Sequence, residues 1–153
     1  MDTPNAPAPG KTLLIVEDDI LPAMALRDEL EEAGYRVLDL TGRHEEALSA
    51  ARTCKPHLAL VNIQLHGRDD GIELAEDLKA MGIPTLFISG QVSRARSAQT
   101  VAIGSLPKPY STTDMVAAVA YLLRRLEGDE SLPRPPGLEV FDVAPDGQAP
   151  RVA

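Results

Sequence analysis

Thr12-Leu13-Leu14-Ile15-Val16-Glu17-Asp18-Asp19 is a five-residue uncharged run that passes directly into three acids. A strand with one wet face alternates apolar and polar side chains, so an unbroken run predicts a strand covered on both faces. His57-Leu58-Ala59-Leu60-Val61 and Pro84-Thr85-Leu86-Phe87-Ile88 repeat the pattern. Between them the apolar spacing changes to the helical period. Ala23, Leu26, Leu30 and Ala33 form one stripe closed by Gly34; residues 45–52 place Leu48 and Ala51 inward; residues 72–81 do the same with Ile72, Ala75 and Leu78 before Gly82. Residues 35–40 read as a second strand, 93–102 as a weak helix, and Ser105-Leu106 as a very short fifth strand. The last helix starts at a Ser111/Thr112 cap with Asp114 in its first turn, and Val119, Leu122 and Leu126 make its buried stripe. Five strands alternating with five helices predict an α/β fold, a doubly wound parallel sheet with helices on both faces.

Proline places the boundaries. Residues 1–10 contain Pro4, Pro7 and Pro9, and residues 128–153 contain Pro133, Pro135, Pro136, Pro145 and Pro150 with little periodicity. Such segments bury too little apolar surface to offset their ordering entropy. The expectation is a flexible tail over 1–10, one domain over 11–127, and a mostly disordered tail over 128–153. Leu138-Glu139-Val140-Phe141 alternates like a short strand and reads two ways: a strand added to a sheet edge or a partner, or a stray apolar run.

Composition narrows the function. The formal charge of −8, with 23 acids against 15 Lys and Arg, repels a phosphate backbone, and the absence of Trp with only three Tyr and two Phe leaves no stacking wall for bases. No nucleic-acid partner is expected. The lone Cys54 excludes an internal disulfide, and the N-terminus has neither the basic nor the apolar region of a signal peptide. With no apolar run of membrane-spanning length, the expected setting is cytoplasmic and free of the membrane.

In a doubly wound sheet, chemistry gathers at the carboxyl ends of the strands. There the first strand ends in Glu17-Asp18-Asp19, the third at Asn62, the fourth in Ser89-Gly90, and the fifth runs into Lys108-Pro109. Carboxylates gathered at one point need a hard cation or an ammonium. Mg²⁺ suits them, and Lys108 with Ser89 suits the oxygens of a phosphoryl group. Singly, each residue has a plainer reading as a helix-end acid, a turn hydroxyl or a solvated charge. Convergence from four strand ends favours the joint one.

Leu14-Ile15-Val16-Glu17-Asp18-Asp19, Leu58-Ala59-Leu60-Val61-Asn62-Ile63, Asp70-Gly71, Ile88-Ser89-Gly90 and Leu106-Pro107-Lys108-Pro109-Tyr110, in this order and spacing, resemble the receiver domain of two-component response regulators over essentially all of 11–127. The resemblance implies a flavodoxin-like (βα)5 fold. It also implies a Mg²⁺ site of Asp18, Glu17 through water, the side chain at 62 and the carbonyl of Gln64. A phosphoryl group would come to position 62 from a histidine kinase or histidine phosphotransfer protein, with Ser89 and Lys108 on its oxygens and a cis Lys108-Pro109 bond. A downstream protein target and a second copy of the chain are partners of the same kind. Such a domain signals by protein contact and is not an enzyme.

The departures carry the expectation further. The family's acceptor is Asp, and here it is Asn62. An amide has the shape of the carboxylate without its charge, so it is not phosphorylated, and its hold on Mg²⁺ is weakened. That reads two ways: a receiver that works without phosphorylation, or an acceptor removed from an otherwise phosphorylatable regulator. The loop after Asn62 carries His66 in place of the family's usual Pro and is one residue longer before Asp70. Ser105 stands where many relatives have a switching aromatic, and the segment from Ser89 to Lys108 is about one helical turn short. The face from the fourth to the last helix is the expected protein-contact surface. The 26 residues 128–153 are too few for a DNA-binding fold. A Mg-dependent phosphohydrolase on the same scaffold is the alternative; it lacks the aspartate nucleophile at 62. A flavin-binding flavodoxin is disfavoured by acids where the flavin phosphate would sit. His44 and His57 have no metal-ligand spacing.

Overall fold

The computed structural model describes residues 10–65 and 70–141. In chain order the elements are β1 (Thr12–Val16), α1 (Ile20–Glu32), β2 (Arg36–Val37), α2 (His44–Thr53), β3 (Leu58–Asn62), α3 (Gly71–Ala80), β4 (Thr85–Ser89), α4 (Val92–Ser97), β5 (Gly104–Pro107), α5 (Thr112–Leu126) and β6 (Glu139–Val140). The sheet order is β2-β1-β3-β4-β5-β6, parallel through β5. This is the doubly wound sheet expected from the alternating periods, in the flavodoxin-like form that the resemblance implied. Every residue of β1, β3 and β4 is buried, which is why their sequences do not alternate.

Successive residues of those strands point to opposite faces and seed two cores. Leu14, Val16, Ala59, Val61 and Phe87 pack with α2 and α3, and Ala95 of α4 joins them. Leu13, Ile15, Leu58, Leu60 and Leu86 pack instead with α1 and α5. Asp70 caps α3 by accepting from Ile72 N (2.8 Å), and Ser111 caps α5 by accepting from Asp114 N (3.0 Å). His57 closes the start of β3, where its Nδ1 accepts from the Thr12 amide at 3.0 Å.

Three boundaries differ from expectation. The second strand shrinks from 35–40 to Arg36–Val37, because it lies at the sheet edge and, among the described residues, pairs with β1 alone; Leu38 N still bonds Leu13 O at 3.0 Å. The fourth helix covers Val92–Ser97 rather than 93–102, since Ala98 leaves helical geometry and turns carry the chain into β5.

The largest correction concerns the segment read as a tail from 128 onward. Its part up to Phe141 belongs to the fold. Glu139 and Val140 pair antiparallel with Ser105 and Gly104, and Phe141 N donates to Ile103 O at 2.9 Å. Leu132, Leu138 and Phe141 are buried, Leu138 in the α1/α5 core and Phe141 in the other. Arg96 of α4 adds a salt bridge to Glu139 at 2.8 Å. The approach depends on Gly104: a Cβ there would lie 2.8 Å from Glu139 O. Burial of three large side chains offsets the ordering entropy that argued for disorder. Residues 1–9 and 142–153, like His66, lie outside the described residues.

One buried group gives a test of the packing. The Tyr35 hydroxyl is enclosed with no hydrogen-bond partner among the described residues, and burial raises its pKa to about 12 despite the pull of Arg124. A raised folded-state pKa contributes stability that is present below the unfolded value of about 10 and is lost as pH rises through about 12. Tyr35→Phe removes no hydrogen bond. The expected result is unchanged or higher stability near neutral pH and a flatter alkaline limb, read from urea midpoints across pH. A clear loss at neutral pH would contradict it.

Candidate functional site

The strand order reverses between β1 and β3, and the carboxyl ends of those two strands open a cleft of about 1100 Å³. Sterics at its floor set the geometry. Gly71, the first residue of α3, passes over the end of β3, with its N–H donating to Ile63 O at 2.8 Å. A Cβ on Gly71 would lie 2.7 Å from Ile63 Cα. Chain direction there is thus set by the absence of a side chain, and Asn62 is held facing the end of β1.

Asn62, 7% exposed, donates through Nδ2 to Glu17 Oε2 at 2.7 Å and to the Gln64 carbonyl at 2.8 Å. The same nitrogen stands 3.5 Å from Asp18 Oδ1. Lys108, after β5, reaches the other Glu17 oxygen, with Nζ to Oε1 at 3.4 Å. Burial pushes the Glu17 carboxyl above its usual range; the Lys108 ammonium and the Asn62 amide pull it back, while Asp18 adds to the rise. The Tyr110 hydroxyl is raised by burial and by the Glu17 charge. The Lys108-Pro109 bond is cis, as the resemblance implied.

Glu17, Asp18, Asn62, the Gln64 carbonyl and Lys108 therefore come together. Ser89 lines the same cleft, but its hydroxyl is taken up in the turn into α4, accepting from Gln91 N at 2.7 Å and donating to Gln91 O at 3.2 Å. Two contacts escaped the sequence reading. Gln91 Nε2 donates to Gln64 Oε1 at 3.4 Å, and Arg94 of α4 pairs with Asp70 at 2.6 Å, so both tie α4 to the loop after Asn62. Nothing in the local sequence marks them, because they depend on how α4 and the turn before it meet the segment between β3 and α3. Gly71 did carry a signal, a glycine at a helix start directly after an acidic cap.

Arranged this way, the oxygens fit magnesium poorly. That ion takes oxygen ligands at about 2.0–2.1 Å in near-octahedral geometry, whereas the group facing Glu17, Asp18 and Gln64 is an N–H donor. Among the described residues no three His, Cys, Asp or Glu side chains gather as a metal cage. What the arrangement can do is hold its acids paired, one to an ammonium and both to an amide.

Comparison with known families matches residues 13–120 to the response regulator receiver domain. Among curated proteins, the transcriptional regulatory protein PdtaR of Mycobacterium tuberculosis is 31% identical over 121 residues, covering 75% of this chain and 58% of its own. The phosphate regulon transcriptional regulatory protein PhoB of Pseudomonas aeruginosa is 32% identical over 132 residues, covering 81% and 57%. The chain thus spans under two thirds of the length of these relatives. Among solved structures, the signal receiver domain of a modulated diguanylate cyclase from Desulfovibrio desulfuricans G20 superposes with TM-score 0.65 at 37% identity, covering 77% of this chain and 98% of that one. A CheY-like receiver domain protein from Methanospirillum hungatei JF-1 gives 0.69 at 25% identity, covering 78% and 98%.

Proposed function

This chain belongs to the response regulator receiver family of two-component signalling, and from that premise we propose that it is a receiver whose phosphoacceptor position is held by Asn62 and which acts by protein contact without taking a phosphoryl group there. The observation that carries the reading is an amide at the end of β3, hydrogen-bonded to Glu17, where the chemistry needs a carboxylate oxygen. Forming an acyl phosphate at this position requires a carboxylate oxygen whose lone pair attacks phosphorus. The Asn62 oxygen carries no such charge. Receiver domains hold Mg²⁺ at this acidic end; in this chain Asp18, Glu17, Asn62 and the Gln64 carbonyl are the groups that would hold it, and the uncharged Asn62 amide weakens that hold until no measurable binding remains. Ser89 and Lys108 keep the positions for phosphoryl oxygens. No catalytic residue is assigned, and the domain works as a cytoplasmic binding module.

Its partner is a histidine kinase or histidine phosphotransfer protein, which presents helices. Of the five large apolar residues exposed among the described residues, Ile20, Leu21 and Met24 lie together on α1, with Leu21 at 74% exposure. Beside them a groove of about 600 Å³ runs between α1 and the turn carrying Pro109 and Tyr110. An apolar helix face against such a groove is a common recognition mode. The face from α4 to α5, expected from sequence to make the contact, has its sheet edge covered by β6. Leu21→Asp is therefore expected to weaken binding to the phosphotransfer helices of a cognate kinase by about tenfold or more. The circular dichroism spectrum stays native, and wild-type affinity is the same with or without an acyl-phosphate donor. Binding that requires the donor, or that ignores Leu21→Asp, would overturn this reading.

A further inference from the structure

We infer that the side-chain amide of Asn62 is a built-in replacement for the divalent cation, so that the acidic end of the sheet is complete without metal. The inference rests on the reading of Asn62 above and deepens it. Glu17 Oε2, the Gln64 carbonyl and Asp18 Oδ1 lie 2.7, 2.8 and 3.5 Å from one atom, Asn62 Nδ2. Three acceptors around one point require a positive pole there, since two carboxylates brought together without one repel. A primary amide nitrogen offers two hydrogens. The two short contacts take them, and Asp18 shares the same positive end at longer range.

The orientation follows from the partners. Turning the amide over would aim its carbonyl at a carboxylate and a backbone carbonyl, neither of which is a donor. Lys108 completes the arrangement on the far oxygen of Glu17 at 3.4 Å. The seat is thereby filled by hydrogens that belong to the chain. For Mg²⁺ to enter, the amide must turn away, break its bonds to Glu17 and Gln64, and return only an uncharged oxygen. That exchange is unfavourable, and its consequence extends to the loop after β3. The Gln64 carbonyl is anchored by Asn62 itself, and the Gln64 side chain meets Gln91 at the start of α4. In this chain Gln64 is therefore held in one arrangement whether or not the ion is present.

Two measurements with magnesium chloride alone test the inference, and neither depends on phosphoryl transfer. The first is thermal unfolding of the chain and of Asn62→Asp, each in chelator and in saturating Mg²⁺. The wild-type midpoint should not move. The Asp variant places a third carboxylate against Glu17 and Asp18, so it should melt several degrees lower in chelator and recover with Mg²⁺, a swing of about 5 °C. The second is the Asn62 side-chain ¹⁵N–¹H₂ resonance of the wild type, which remains readable if the variant fails to fold. Slow hydrogen exchange and no shift on Mg²⁺ addition support the amide as the resident donor. A saturable shift of that resonance, or wild-type stabilisation equal to that of the variant, overturns it. Phosphoryl uptake by the wild type with these two results intact would instead remove the functional reading and leave the amide in place.

Discussion

Gly71→Ala is expected to destabilise the protein by about 3 kcal/mol, at the upper end of what overpacking by one methyl group costs. The added Cβ meets backbone, not a movable side chain: the Asn62 carbonyl oxygen and, at 2.7 Å, Ile63 Cα. Neither side can retreat easily. Asn62 is registered against Ile88 of β4, and Gly71 N is bonded to Ile63 O at 2.8 Å while Asp70 caps α3. Either the end of β3 leaves the sheet or α3 loses its first turn. Both moves displace Asn62 from Glu17, so the loss of stability should come with loss of protection of the Asn62 side-chain amide. Chemical denaturation measures the first effect and hydrogen exchange the second. A change below about 0.5 kcal/mol, the usual size for neutral surface substitutions, would show that the junction relaxes and that Gly71 does not set the site.

What the sequence made legible follows from where the constraint lies. Runs such as Leu13–Val16 and Leu58–Val61 are buried on both faces, so burial alone dictates their composition, and they could be read without knowing any neighbour. Glu17, Asp18, Asn62 and Lys108 were legible for a related reason: the strand ends place them, and strand ends follow from the runs. Edge elements were harder. Arg36 in β2 is exposed, so only part of 35–40 carries a sheet signal. Leu138–Phe141 has the alternation of a strand, yet four residues do not say which edge they join. The complementary clue was Gly104 in β5, whose missing side chain admits Glu139 O. Contacts between segments far apart in sequence left no local trace, as with Gln91 on Gln64 and Arg94 on Asp70. The pairing of Lys108 with Glu17 belongs to the same class. From sequence Lys108 is a cation near acids; its partner depends on Asn62 occupying the centre of the group.

The second large effect is a gain of chemistry. Asn62→Asp puts a carboxylate oxygen at the end of β3, beside a lysine that already reaches Glu17 and in a cleft that Ser89 also lines. With a small acyl-phosphate donor, that oxygen attacks phosphorus, the donor's P–O bond breaks, and the acyl carboxylate leaves with the electron pair. Glu17, Asp18 and the new carboxylate would together hold Mg²⁺, which would supply charge neutralisation at the phosphoryl oxygens. Wild-type Asn62 differs from this variant by one functional group of nearly the same shape, so the contrast isolates the charge and not the fold. Intact mass after incubation with Mg²⁺ and the acyl-phosphate donor, for the chain beside Asn62→Asp, is thus the most direct test of a receiver silenced at its acceptor position. Only the Asp variant should gain the mass of one phosphoryl group. Gain of that group by the wild-type chain would mean that another residue accepts it, and would contradict a receiver that works without phosphorylation.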